Sequence, residues 1–277
     1  MKLVVNDITV SYSDAGKKRA KAIILIHGFP LNKSMWNKQT KVLEDKYRVI
    51  TYDIRGHGLT DAGNAEFTIE LFARDLLSFM DRMDIERTVL CGLSMGGYIA
   101  LKAIGRYPDR FDALILSDTN CIADSSEAKE KRMKAIENIR NAGSEKYADD
   151  SIKNLFAPGS FITGNAAISA VREMIVKTSE QSLFKTLHAL AEREETLSQL
   201  HSIEFPVLIL VGSEDKITPW ADAKVMHENI KDSLLQVIQH AGHLSNMENP
   251  EDFNNQLVNF MAAVYKQTIQ LNSDHRK

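Results

Sequence analysis

Three side chains in this sequence have the types and the order needed to make a nucleophile. Ser94 stands in Gly92-Leu93-Ser94-Met95-Gly96, where a short apolar run, residues 88–91, breaks into a stretch with Ile99, Ala100, Ala103 and Ile104 at helical spacing. A strand that turns into a helix so abruptly forces its corner residue into a strained backbone, and small flanking residues let the two elements approach. The hydroxyl is thereby pushed out at the carboxyl edge of the sheet, beside a helix N-terminus that favours developing negative charge. A serine hydroxyl is a poor nucleophile at neutral pH, so it needs a base for its proton and a carboxylate to orient that base. Asp215 follows the apolar run 206–211 by a short turn, and His243 follows the run 234–238 by another. The order Ser, Asp, His is the one expected when such an elbow tops a parallel sheet.

Each role has a rival. Glu214 adjoins Asp215 but leaves the turn in the opposite direction. His240 lies closer to its strand, which suits a packing residue, whereas His243 follows a glycine that lets its loop swing inward. His27 is expected to hydrogen-bond to backbone, and Asp53 and His57 to hold their own turn. His188, His201 and His227 read as ordinary residues of helices and connections. Met133, Phe156, Phe161, Met174 and Phe184 are expected to form core, with a minority of them lining a substrate pocket.

The elements that must position these groups follow in order. Residues 2–5 and 7–13 alternate around Asn6-Asp7 as an edge hairpin. The run 22–26 is continuously apolar, as a parallel strand covered on both faces should be, and ends at His27-Gly28-Phe29-Pro30 on the same sheet edge as Ser94. A helix over about 34–45, a strand over 47–52, a helix from Thr68 through Met83, the strand before Ser94 and a strand over 111–117 continue the alternation. Repeated strand and helix with short connections predicts an α/β fold, a mostly parallel sheet of about eight strands flanked by helices. Between residues 121 and 200 the rhythm breaks into helices alone, over 125–142, 144–156, 165–178 and 180–194. This stretch is expected to be a helical cap inserted into a core made of 1–120 and 201–277. Pro219 opens a helix after the strand over 206–211, Pro250 begins a last helix over 251–265, and the polar tail 272–277 is expected to fray.

Composition narrows the function. With 277 residues, 44% of them hydrophobic, the chain is long enough for one large α/β domain or two small ones and can fill a sizeable core. Its 34 Lys and Arg against 37 Asp and Glu give a net charge of −3 with no long basic block, which argues against nucleic acid and anionic membranes as partners. The N-terminus turns polar too early for a signal peptide, and no apolar run approaches the roughly 18 residues a membrane span needs, so a cytoplasmic location is expected. Cys91 and Cys121 read as buried thiols rather than a disulfide pair, and nothing in the spacing of Cys and His suggests a metal site.

Five ordered motifs carry a resemblance to the α/β-hydrolases: His27-Gly28-Phe29-Pro30, Asp53-Ile54-Arg55-Gly56-His57-Gly58, Gly92-Leu93-Ser94-Met95-Gly96-Gly97, Gly212-Ser213-Glu214-Asp215 with Pro219, and Ala241-Gly242-His243. The chain is most similar to 3-oxoadipate enol-lactonases and small carboxylesterases, through the first motif with Trp36 downstream and through residues 242–250. Epoxide hydrolases and haloalkane dehalogenases of the family carry an aspartate where Ser94 stands, which speaks against both. The resemblance implies a serine hydrolase acting on a small carboxylic ester or lactone through an acyl-enzyme. Its catalytic residues would be Ser94, Asp215 and His243, and the backbone N–H groups of Phe29 and Met95 would form the oxyanion hole. No cofactor is expected, and the protein would work as a monomer or homodimer. The alternatives are a C–C bond hydrolase or perhydrolase on the same triad, or a ligand receptor on a hydrolase scaffold with little turnover.

Overall fold

The computed structural model describes residues 1–274. An eight-stranded sheet runs through it: β1 (Lys2–Val5), β2 (Ile8–Ala15), β3 (Ala22–Ile26), β4 (Arg48–Tyr52), β5 (Thr88–Leu93), β6 (Phe111–Ser117), β7 (Val207–Gly212) and β8 (Leu234–Ile238). The spatial order is β1-β2-β4-β3-β5-β6-β7-β8, antiparallel at the β1/β2 and β2/β4 pairings and parallel from there on. After β3 the chain first crosses to one side, to β4, and then returns to the other, to β5. The crevice beyond the carboxyl ends of β3 and β5 is therefore a topological switch point, where open α/β sheets place their sites.

Side-chain alternation divides each central strand between two cores. Ile24, Ile26, Leu90, Leu114 and Ile209 pack with α2 (Ile69–Arg82), α3 (Met95–Arg106) and α8 (Trp220–Asn229). Ile23, Leu25, Val89, Cys91, Ile115 and Leu208 pack on the opposite face with α1 (Asn37–Leu43) and α10 (Pro250–Asp274). Each fully buried Leu or Ile stabilises this arrangement by about 1.5–3 kcal/mol, which is why β3, β5 and β7 read as unbroken apolar runs. Thr68 caps α2, its hydroxyl accepting from Leu71 N at 2.9 Å.

The segment between β6 and β7 is helical throughout: α4 (Ser126–Leu155), α5 (Pro158–Ile162), α6 (Ala167–Lys177) and α7 (Glu180–Ala191), followed by a 3-10 turn, Leu197–Ser202. Gly143, with φ 79°, breaks α4 where the two expected helices meet. Three boundaries differ from the sequence reading. Between the helices expected over 144–156 and 165–178 lies a further short helix, α5, opened by Pro158, since proline is well suited to a first helical turn. The stretch read as one helix from 34 is a 3-10 turn, Lys33–Trp36, running into α1. The last helix continues past 265 through Asp274, taking in residues 272–274 of the expected frayed tail, and 275–277 lie outside the described residues. Among the described residues no helix is long and apolar enough to cross a membrane.

Candidate active site

Ser94 is the corner between β5 and α3, with φ 53° and ψ −116°. A non-glycine residue held there stores strain on the order of 1–3 kcal/mol, so its surroundings must fix it. They do so through backbone: Ser94 N donates to Ser117 O at 3.0 Å, and its carbonyl accepts from Gly97 N at 2.8 Å and from Thr119 Oγ1 at 2.8 Å. The flanking glycines are required by contact. A Cβ on Gly92 would lie 2.3 Å from Gly96 O, and one on Gly96 would lie 2.2 Å from Ile26 O of the neighbouring strand.

Asp215 and His243 come together from the loops after β7 and β8. His243 Nδ1 is 2.9 Å from Asp215 Oδ2. The same carboxylate accepts from Thr218 Oγ1 at 2.8 Å through Oδ2, and from Ile217 N at 2.8 Å and Thr218 N at 3.1 Å through Oδ1. An ionised carboxylate only accepts, so the imidazole proton sits on Nδ1 and Nε2 is left with its lone pair. Burial by itself would push the Asp215 carboxyl up, but His243 and the hydrogen bonds more than reverse this and hold it below its ordinary value. For His243 burial opposes charge, yet Asp215 above all, then Asp118 and Glu248, bring its pKa above 6.5.

Ser94 and His243 share the wall of one cavity of about 810 Å³, with Phe29 beside them and Tyr147, Leu155, Leu187 and Leu190 of the helical segment opposite. Among the described residues the amide N–H groups of Phe29 and Met95 donate to no protein acceptor. The rivals are placed elsewhere. Glu214 is exposed and meets the loop before His243 only through its backbone, Glu214 N donating to Ala241 O at 2.9 Å. His240, expected to pack, is instead exposed in a left-handed turn with φ 57°. Nor does Gly242 serve the conformational freedom read into it: a Cβ there would lie 2.7 Å from Ala157 N, so the glycine admits a close backbone contact.

His27 and His57 are buried and structural. His27 Nε2 accepts from Ile54 N at 2.9 Å while Nδ1 donates to Gly28 O at 2.9 Å, and burial pulls its pKa down to about 4. His57 Nδ1 donates to Arg55 O at 3.0 Å, and burial lowers it to about 3. Asp53 holds its turn as expected, accepting from Lys33 Nζ at 2.6 Å and Leu59 N at 3.0 Å. Of the five Met and Phe residues expected to form core, with a minority lining the pocket, none lines it: Phe156 and Met174 belong to the sheet-side core, Met133 and Phe184 pack around Ile136, Ile139, Leu183 and Leu187, and Phe161 is exposed. Leucines on the inner helix faces take their place.

Two residues of the site went unread in the sequence. Asp118, just after β6, is fully buried behind Asp215; Gly212 N at 2.8 Å and the hydroxyls of Ser117 at 2.7 Å and Ser245 at 2.5 Å donate to it, while burial and then Asp215 push its carboxyl up to about 7. Its signal was an acid at the end of a central strand. Arg193 stacks 4.4 Å over the Tyr98 ring and donates to Asp124, to Ile122 O at 2.9 Å and to Leu190 O at 3.0 Å, joining the start and finish of the helical segment to α3. It resembles any surface arginine in the sequence. Among the described residues no group of three or more His, Cys, Asp or Glu could hold a metal ion.

Comparison with known proteins places the fold. A structure of a thermophilic esterase from Thermogutta terrifontis, with malate bound, superposes with a TM-score of 0.90 at 33% identity, covering 95% of this chain and 98% of that one. The enol-lactonase from Burkholderia xenovorans superposes with a TM-score of 0.88 at 26% identity, covering 95% and 100%. In sequence, 3-oxoadipate enol-lactonase 2 of Acinetobacter baylyi is 29% identical over 252 residues, covering 91% of this chain and 92% of that protein. The family model described as alpha/beta hydrolase fold matches residues 21–250, from β3 to the start of α10, a span that contains every residue of the site, and the chain belongs to that family.

Proposed function

We propose that this protein is a serine hydrolase that cleaves a small carboxylic ester or lactone through an acyl-enzyme. The observation that carries the reading is the Asp215–His243 pair at 2.9 Å, opening into the same cavity as a serine held in a strained turn. The esterase and enol-lactonase among the similar proteins support the same chemistry.

In this reading His243 Nε2 takes the proton of Ser94 Oγ as that oxygen adds to the substrate carbonyl, and Asp215 holds the imidazole in its tautomer and stabilises the cation that forms. The carbonyl oxygen becomes an oxyanion, met by the unpaired N–H groups of Phe29 and Met95, the latter at the positive end of α3. The tetrahedral species collapses, His243 gives its proton to the departing alkoxide, and water repeats the sequence on the acyl-serine. A lactone stays tethered as a hydroxyacyl chain until that second step. Residues 121–200 act as a lid on a core of 1–120 and 201–277, and their inner leucines hold the acyl chain.

The test is turnover of p-nitrophenyl acetate and butyrate and of simple lactones, with Ser94→Ala alongside. The wild-type protein hydrolyses the esters with a burst, and Ser94→Ala, folded by circular dichroism, loses roughly 10⁴-fold or more. Near-normal turnover by Ser94→Ala would sink the assignment.

A further inference from the structure

Five residues beyond His243, the carboxylate of Glu248 in α9 (Ser245–Glu248) joins two segments distant in sequence. Its Oε1 accepts from Gly242 N at 2.8 Å, on the loop that carries His243. Its Oε2 accepts from Ala157 N at 2.8 Å and from Ser160 Oγ at 2.6 Å, on the turn between α4 and α5 and on α5 itself. A second tie runs beside it, since His243 N donates to Leu155 O at 3.0 Å. The surfaces meet closely: a Cβ on Gly242 would lie 2.7 Å from Ala157 N and 2.9 Å from Phe156 C. Burial pushes the Glu248 carboxyl up, against hydrogen bonds from Ser160, Ala157, Gly242 and Leu244 that favour its charge.

We propose that Glu248 is a positioning residue for the reaction, which sets the place of the His243 imidazole by binding the base loop and the helical segment into one body. The inference rests on the reading of His243 as base. The donor arithmetic makes a carboxylate necessary. Gly242 N–H and Ala157 N–H are fixed donors on opposite sides, and only a group with acceptors on both oxygens satisfies them together. A glutamine presents its NH₂ to one of them whichever way it turns. The imidazole is held by Asp215 through its side chain, but its backbone hangs from Leu155 and Gly242, so loss of the bridge moves it relative to Ser94, which is fixed independently by the elbow. Misplacement of a catalytic group by about 1 Å is enough to cost on the order of 10²-fold in rate.

The test compares Glu248→Gln and Gly242→Ala with wild type in the full-length chain. Three quantities are read: kcat and KM for p-nitrophenyl acetate, the rate at which a fluorophosphonate derivatises Ser94, and the melting temperature. A fluorophosphonate is small and requires the base but little of the pocket. Both variants are expected to remain folded and to lose about 10- to 100-fold in kcat and in phosphonylation rate together, with KM barely changed. A rise in KM with kcat and phosphonylation intact means that Glu248 only anchors the helices, and overturns the proposal. If Glu248→Gln does not fold, Gly242→Ala decides by the same criterion, because its methyl group parts the two surfaces with the carboxylate still present. Ser94→Ala separates the two levels. An active Ser94→Ala defeats the triad reading itself, whereas an inactive Ser94→Ala beside a Glu248→Gln of wild-type kcat defeats only the role of Glu248.

Discussion

The turn that carries Ser94 and the loop that carries His243 face one cavity and are built by different means. Around Ser94 the determinants are near in sequence or in the adjoining strands: Gly92, Gly96, Gly97, Ser117, Thr119 and the carbonyl of Ile26. Those partners belong to central, fully buried elements that have no room to retreat. Around His243 the determinants are scattered, from Asp118 and Leu155 through Asp215 and Thr218 to Glu248, and several lie on loops or on the helical segment. A serine pinned by sheet geometry thus meets a histidine placed by long-range hydrogen bonds, and perturbations should act unequally on the two.

The largest expected effect is at His243. Asp215→Asn favours the wrong imidazole tautomer and should lower kcat by about 10⁴-fold, while Glu214→Gln, at an exposed side chain, leaves kcat close to wild type. Steady-state kinetics on both variants checks the pair, and the opposite ranking means that the acid is misassigned.

Gly96→Ala probes the elbow. Its methyl group meets Ile26 O at 2.2 Å in a strand that cannot move, so stability should fall by about 1–3 kcal/mol in urea unfolding, together with much of the activity. Gly242→Ala should cost less stability, because loop and helix can part. If Gly242→Ala is the more destabilising, the contrast between a rigid elbow and an adjustable loop fails.

The pH profile sharpens the comparison further. Only neutral imidazole accepts a proton, so kcat/KM should rise with pH, with its acid limb above the ordinary 6.5 because Asp215 and its neighbours overcome the effect of burial on His243. The same raised pKa means that the stability drawn from the charged pair is complete below 6.5 and lost as pH climbs through the folded value, opposite in trend to the activity. An acid limb at or below 6.5 contradicts the placement of these charges.

The smallest effect is expected from Asp118→Asn. The amide oxygen still accepts from Gly212 N, but the negative charge that helps to raise His243 is gone, so the acid limb should move to lower pH with little change in the plateau. A limb that stays in place shows that Asp118 carries no charge in the active protein.

What the sequence determined by itself are the features encoded over short range. Continuous apolar runs and strand-helix alternation specify the sheet and its two covered faces, and Gly92-Leu93-Ser94-Met95-Gly96 specifies a strained corner, because strand, turn and helix N-terminus are all contiguous there. Asp215 and His243 were legible for a similar reason, each standing just past an apolar run whose end must lie on the same sheet edge. Only the tertiary structure decided what those loops lean on. A glutamate before Asn249-Pro250, an aspartate after β6 and an arginine after α7 have the same local sequence whether solvated or buried, and which they are depends on hydrogen-bond partners more than 60 residues away in the chain. Burial removes water as the competing partner, and it is burial, a property of the whole fold, that turns Glu248, Asp118 and Arg193 from ordinary polar residues into the supports of the site.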